Sequence, residues 1–540
     1  MQQFSFTARK EILNQLPDVV YDVLVIGGGI TAAGIALDAA SRGLRVCVIE
    51  KNDFASGTSS KSTKLIHGGL RYLKNMEFAL VREVGSERAV IHSLAPYLVQ
   101  PISMLLPIYK NGTLGRITTA IALTIYDWLA KVKQEERFRM LKKKELLQLE
   151  PLLNNHNLIG GALYKEYKTD DARLTITVMK TAVNYGADCL NYCKYELPIY
   201  NNSKIAGAEI TDELNHTKLI IHAKYIINAA GPWVDEIRKS DTAISGKFLH
   251  LTKGVHIVVS KKDFPLQQAI YFDVQSDKRM IFAIPRQDII YIGTTDTDFN
   301  NNIDNPEITE TDITYLLNAV NEKFKDLNLS TAMVQSTWAG LRPLIHETGK
   351  APGELSRKDE IFISESGMIS IAGGKLTGYR KMAEKTVDIV AKKMQKKSTC
   401  KTDTLKLTGA DFQIPISEFI ERRFGEAKQA GFTKENIAKL VYRYGTATEI
   451  IIENAFQLYH QYPNVEERKL AAEIQYTVEH EMVCNLSDFL IRRTGMLYFE
   501  IAKAKSVYIF VACVIKQLLQ LSEDEYQWQV DMFEEDLNLI

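Results

Sequence analysis

The residues "DVLVI" (22–26) form a short apolar run that meets a glycine cluster, the pattern of a buried strand entering a tight turn. "AAGIALDAASRG" (32–43) then changes to helical spacing with Gly43 as its stop, and "RVCVIE" (45–50) returns to an apolar strand. Together these predict a βαβ unit with parallel strands. Strand, glycine pair and helix recur in "MISIAGGKLTGYRKMAEKTVDIV" (368–390), and "KYIINAAGPWVD" (224–235) reads as a strand entering a turn. Between them, "KGVHIVVS", "RMIFAIPR" and "DIIYIGTTD" are apolar or alternating strands with little helical pattern, predicting a largely antiparallel sheet. The segment 90–160 reads as helical and basic, and beyond a break at 396–415 the pattern is one of amphipathic helices.

The expected fold is therefore α/β and α+β. A discontinuous Rossmann-like nucleotide-binding domain takes residues 18–90, 160–235 and 345–400. A mainly antiparallel β substrate domain, also membrane-proximal, takes 91–159 and 236–344, and an all-helical C-terminal domain takes 405–540. Two long apolar stretches, 117–133 and 506–521, are interrupted by Asp127 and Lys516, so neither predicts a membrane span. Both read as buried helices; the first, with Trp128 and lysines after it, has an interfacial helix as its alternative.

Composition narrows the classes. The 540 residues contain 66 Lys and Arg against 66 Asp and Glu, so no global field recruits nucleic acid. Six cysteines are scattered, with no second pair to complete a zinc site beside Cys189 and Cys193, so no metal is expected. The start of the chain lacks an apolar signal-peptide core, and a reducing cytoplasmic setting is expected.

The first βαβ unit carries chemistry. A glycine turn at Gly27 and Gly29 brings backbone and a helix N-terminus to a pyrophosphate, and Glu50 at the end of the second strand can accept from a ribose diol. Ala32 stands at the third glycine position, where a small residue suffices for packing. The polar stretch "TSSKSTKLIHGGLRYL" (58–73) follows directly, unlike the plain strand or helix of a nicotinamide enzyme. Thr58, Ser59, Ser60, Ser62 and Lys64 could wrap a diphosphate and a flavin edge. Gly68 and Gly69 would let backbone lie on a flat ring, with His67 and Arg71 facing what reacts above it. A solvated Ser/Lys loop is the alternative. A turn at Gly231 and the helix start around Gly373, Gly374, Lys375, Leu376 and Thr377 would close on the same cofactor, so FAD is expected.

The motifs "VIGGGITAAGIALDAASRGL", "SSKSTKLIHGGLRYL", "NAAGPWVD", "KGVHIVV", "IGTTDTDF", "AGLRPL" and "GGKLTGYRKMAE" occur in an order that resembles FAD-dependent glycerol-3-phosphate dehydrogenases, of the amino-acid-oxidase-like flavoproteins. The resemblance runs from about 20 to 395 and into 472–495. It implies oxidation of sn-glycerol 3-phosphate to dihydroxyacetone phosphate with electrons passed from FAD to a membrane quinone. It also implies a peripheral protein on the anionic inner face of the plasma membrane, and leaves a homodimer open. An oxidase passing electrons to oxygen, acting on this substrate or on another hydroxy acid or amine, is the runner-up.

A phosphate dianion needs paired cations. Arg71, Arg342 and Lys375 stand at family-matching positions, with Tyr72, Thr294 and Thr295 as hydrogen-bonding partners. The competing role for Arg342 is an ordinary ion pair. The resemblance extends the cofactor set to Lys51 and Leu65. His67 and His256 are the candidate bases, His346 a weaker third, while Arg342 and Lys375 could lower the alcohol pKa by charge. His256 could equally be a satisfied strand histidine. A calcium loop is absent near the C-terminus.

Overall fold

The computed structural model describes residues 3–67, 78–110, 112, 113, 115–130, 132, 134–244, 246–347 and 358–538. Its first sheet runs Glu360–Ile363, Ile369–Ala372, Thr217–Asn228, Val20–Ile26, Val46–Ile49, Asp188–Leu190. All neighbours are parallel except the Glu360–Ile363 edge, which is antiparallel to Ile369–Ala372. Alternation along Val20–Ile26 gives the sheet two faces. Val23 and Val25 pack under the helices Ile30–Ser41, Asp171–Asn184 and Tyr379–Lys393, whereas Leu24 and Ile26 pack with Ile205, Ala208 and Ile210 of the hairpin Cys193–Asn201/Lys204–Asp212. This is the expected Rossmann-like layer, assembled from distant parts of the chain.

Among the described residues the second sheet has ten strands and is antiparallel throughout apart from one pairing, Ala269–Asp273 with Gln100–Tyr109. Its long central pair, Lys247–Ser260 with Val334–Glu347, sets Thr252 opposite Arg342 and His256 opposite Trp338. Two expectations change here. The segment 90–160 is not simply helical: "QPISMLLPIY" (Gln100–Tyr109) and Arg139–Lys142 are strands of this sheet. Pro101 and Pro107 explain why, since proline is tolerated in a strand with a missing donor but breaks a helix interior. Leu158–Lys168, of which residues from 160 onward were expected in the nucleotide-binding part, pairs with Gln100–Tyr109 in the second sheet.

The C-terminal part is helical, with Ile416–Ala427, Lys434–Tyr444, Thr448–Gln457, Val465–His480, Ile501–Leu519 and Glu523–Asn538. Ile501–Leu519 buries Val511, Ala512 and Ile515 but exposes Ile509 and Leu518, so it is amphipathic rather than fully buried. Arg116–Leu129 departs further from the expected core helix: it buries Leu123, Tyr126 and Leu129 and exposes Ile117, Ile121 and Trp128. No helix among the described residues is long and apolar enough to cross a membrane.

A wide π-turn, Asp488–Arg493, docks the helical part on the first sheet. Within it Arg492 pairs with Asp488 at 2.6 Å. Both arginines also reach across to Asp53, three residues beyond Glu50, and Arg493 grips that carboxylate through both terminal nitrogens at 2.6 and 3.0 Å. Burial would raise the Asp53 pKa, but Arg493 and Arg492 hold it below the ordinary value.

Candidate active site

The site begins where Val20–Ile26 ends. Gly27 adopts φ +114, and a Cβ there would lie 2.6 Å from the Ala229 carbonyl oxygen, so this turn needs glycine. The next N–H, of Gly28, donates to Glu50 Oε2 at 2.6 Å, and Asn52 N–H donates to Oε1 at 3.0 Å. Burial raises the Glu50 pKa while these two donors oppose the shift. Ile30 N–H, in the first turn of the helix, donates to Ser59 Oγ at 3.0 Å. Across the cleft, Gly373 and Gly374 both have left-handed φ and turn the chain into Leu376–Gly378 and the helix Tyr379–Lys393.

Two cavities of about 360 and 250 Å³ share Ile30, Thr58, Ser59, Lys375 and Leu376 and so form one cleft. Its outer end is lined by Gly27, Gly29, Glu50, Lys51, Gly231 and Gly373, its inner end by Leu65, His67, His256, Thr294, Arg342 and Thr377. The helix N-terminus, the strand-end carboxylate and the glycine turn fit a nucleotide diphosphate and ribose, and the inner end leaves room for a flavin and a small substrate.

At that inner end Arg342 Nη2 donates to Thr294 Oγ1 at 2.8 Å, and Nη1 donates to Thr295 O and to Asp296 Oδ1, both at 3.1 Å. The guanidinium lies over Gly254, where a Cβ would come within 2.4 Å of Nη2. The sequence-level alternative for Arg342 is thus realised in part, because it has an ion-pair partner while still lining the cleft. On Lys247–Ser260, residues 255, 257 and 259 face the opposite core, which places His256 on the cleft side. Its ring stacks on Trp338 at 4.8 Å, its Nε2 is 3.0 Å from Thr63 Oγ1, and its buried Nδ1 has no hydrogen-bond partner among the described residues. Gly293 makes room for the ring, since a Cβ there would sit 2.0 Å from His256 Cδ2.

Both imidazoles are held neutral. Burial, reinforced by Lys375 and Arg88, pushes His67 down to about 3; burial with Arg342 and Lys64 pushes His256 well below its ordinary value. A histidine that stays neutral when folded but titrates near 6.5 when unfolded binds fewer protons in the native state at acid pH. Its stabilising contribution is complete above pH 6.5 and lost as pH falls. Wild type should therefore lose about 2 kcal/mol between pH 7 and 5 through His256 alone. Urea titrations at both pH values should show His256→Gln to be less acid-sensitive by that amount, and equal slopes would refute the assignment.

Several expected site residues lie elsewhere. Lys64 does not face the cleft: it is buried, donating to Asp171 Oδ1 at 2.5 Å and Ser60 O at 2.8 Å, because an unpaired ammonium there would be costly. Ser60 is likewise buried, its hydroxyl directed to Gly57 O. Ala32 is buried in its helix, and the tight helix contact falls on Gly34, where a Cβ would meet Tyr379 Cδ2 at 2.8 Å. The Thr295 hydroxyl accepts from Val255 N–H and donates to Lys253 O, so it braces the strand. His346 packs on Phe248 and lines neither cavity. Gly68, Gly69, Arg71 and Tyr72 lie outside the described residues. Conversely, Asp296, Thr63, Glu166 and Arg279 line the inner cavity without having been singled out, although Asp296 stands in the same "GTTD" as the threonines.

A glycine turn, a strand-end acid and a cleft continuing beneath a second sheet define a nucleotide-binding oxidoreductase of the flavoprotein type. Residues 22–380 match the family described as FAD dependent oxidoreductase, and residues 400–526 match the C-terminal domain of alpha-glycerophosphate oxidase. Aerobic glycerol-3-phosphate dehydrogenase of Staphylococcus epidermidis is 46% identical over 525 residues, 96% of this chain and 94% of that one. The protein of the same name from Bacillus subtilis is 46% identical over 508 residues, covering 92% and 91%. Among solved structures, glycerol-3-phosphate dehydrogenase from Bacillus halodurans complexed with FAD superposes with a TM-score of 0.86 at 40% identity, covering 99% of this chain and 98% of that one. The chain belongs to the aerobic glycerol-3-phosphate dehydrogenase family of FAD-dependent oxidoreductases.

Proposed function

We propose that this chain oxidises sn-glycerol 3-phosphate to dihydroxyacetone phosphate, transferring a hydride from C2 to FAD and passing the electrons to a membrane quinone while bound peripherally at the inner face of the plasma membrane. The observation that carries the reading is the Arg342 guanidinium set into the inner end of the nucleotide cleft. Bound FAD supplies the two-electron acceptor. Gly27, Gly29, Glu50, Gly231, Gly373 and Gly374 would hold its nucleotide end, and Thr58, Ser59, Leu65, Leu376 and Thr377 its inner part.

Arg342, fixed by Thr294 and Asp296, offers a planar fork to a phosphate, and Lys375 adds a compact cation from the facing wall. The same charges stabilise a developing alkoxide. His67 and His256 line the cleft as the candidate acceptors of the C2 hydroxyl proton, although the burial and cations that keep them neutral also weaken them as bases.

Anaerobic titration of the yellow holoenzyme tests this. Flavin absorbance should fall on adding glycerol 3-phosphate and stay constant with glycerol or glycerate. Bleaching by an unphosphorylated alcohol would overturn the phosphate role, and reoxidation faster by oxygen than by a quinone would favour the oxidase.

A further inference from the structure

We propose that the helix Arg116–Leu129 lies in the headgroup layer of an anionic membrane and docks the enzyme there, an inference that rests on the reading of a membrane-held acceptor. Ile117, Ile121 and Trp128 are 76%, 54% and 77% exposed, and their spacing places them along one stripe of the helix. The stripe is presented by a fixed scaffold. Thr119 Oγ1 donates to Gly115 O at 2.7 Å, Arg88 Nη1 donates to Tyr126 OH at 2.9 Å, and Asp127 Oδ2 accepts from Phe138 N–H at 3.0 Å. Leu123 and Leu129 hold the opposite face in the protein.

Basic groups flank both ends. Arg116 lies over Gly160, where a Cβ would meet Nη1 at 3.3 Å, and Gly160 is the register partner of exposed Lys142. At the other end Phe138, tied to Asp127, sits between exposed Arg137 and Arg139. Lys143 and Lys144 extend the basic surface; the acids nearby are Glu135, Glu136 and Glu145, of which Glu136 accepts from Tyr167 OH and Glu145 from Lys142 N–H. Apolar side chains ringed by cations match the layer where acyl chains meet anionic headgroups. At about 21 Å the helix is shorter than the roughly 30 Å hydrocarbon core, so it lies in the interface rather than across it.

The inward face adds a second observation. Leu123 belongs to the same apolar cluster as Leu65, Tyr164 and Tyr271, all three of which line the inner cavity. The docking helix and the apolar wall of the inner cleft thus belong to one continuous core, which joins the membrane face to the site.

The test uses the full-length holoenzyme, wild type and I117S/I121S/W128S, sedimented with vesicles of phosphatidylglycerol and phosphatidylcholine or of phosphatidylcholine alone. Wild type should bind the anionic vesicles, less at high salt, and the triple variant at least about 100-fold more weakly. Trp128 emission should shift to the blue on binding, read as the difference from W128F. Turnover with a water-soluble dye should stay within about twofold of wild type, whereas turnover with a quinone dissolved in the vesicles falls with binding. Equal binding of wild type and variant overturns the proposal. So does a wild-type dimer that the variant converts to monomer without lipid, which would make the stripe a contact between copies. Lost binding in the variant together with no quinone turnover by wild type would leave the docking surface standing and refute the acceptor.

Discussion

Arg342→Met should lower kcat/KM for glycerol 3-phosphate by about 10³-fold while the purified protein keeps its flavin. The estimate follows from removing a charge-assisted contact to a dianion, worth about 4 kcal/mol. Arg342→Lys keeps the charge but not the planar fork that Thr294 and Asp296 orient, so a loss of about 10- to 100-fold is expected. Gly254→Ala should fall between the two without altering Arg342 itself, because the new methyl would meet Nη2 at 2.4 Å. Steady-state kinetics with a water-soluble acceptor, alongside flavin content, separate these effects. Activity of Arg342→Met within tenfold of wild type would remove Arg342 from substrate binding.

The second large effect is expected far from the substrate, at Asp53. Asp53→Ala leaves Arg492 and Arg493 buried without their common carboxylate, and breaking a buried pair from one side costs about 3–5 kcal/mol. Arg493→Met should cost a similar amount, since Asp53 then keeps Arg492 as its one ion-pair partner among the described residues, with Asn191 Nδ2 as a neutral donor. The double variant should be less damaging than the sum of the singles, because Arg493 is then no longer left as a buried charge without Asp53. Chemical denaturation of the holoenzyme measures the cycle. Flavin retention should fall in parallel: Asp53 follows the loop in which Glu50 and Asn52 brace the nucleotide turn, and Asn52 O accepts from Tyr192 N–H. Strict additivity would show that the two groups act independently.

These two sites were unequally visible in the sequence. The nucleotide turn was legible because strand, glycines, helix and acid lie within thirty-odd consecutive residues, each carrying a local signal. Arg342 and His256 were legible as candidates, one beside a proline in "AGLRPL" and the other on an apolar strand. Their geometry was not, since the glycines that make room for them are defined only by strand pairing. Lys64 looked like a phosphate ligand because its partner, Asp171, lies 107 positions away. The Asp53 clamp spans 440 positions, beyond any local pattern. Arg116–Leu129 misled for a different reason: apolar residues lie on both of its faces, and periodicity alone does not say which one meets the protein.

The strand order of the first sheet has a consequence for biosynthesis. Val20–Ile26 leaves the ribosome early, yet its neighbour Thr217–Asn228 follows some two hundred residues later, and that strand's own neighbour, Ile369–Ala372, later still. The nascent chain thus carries a half-built sheet with open edges through most of its translation, a state prone to wrong pairings. The counter-charges for Asp53 arrive only with Arg492 and Arg493, 439 and 440 positions further along the chain. A chain ending before Arg492 would carry the glycine turn and Glu50 but lack the two charges that hold Asp53 beside them.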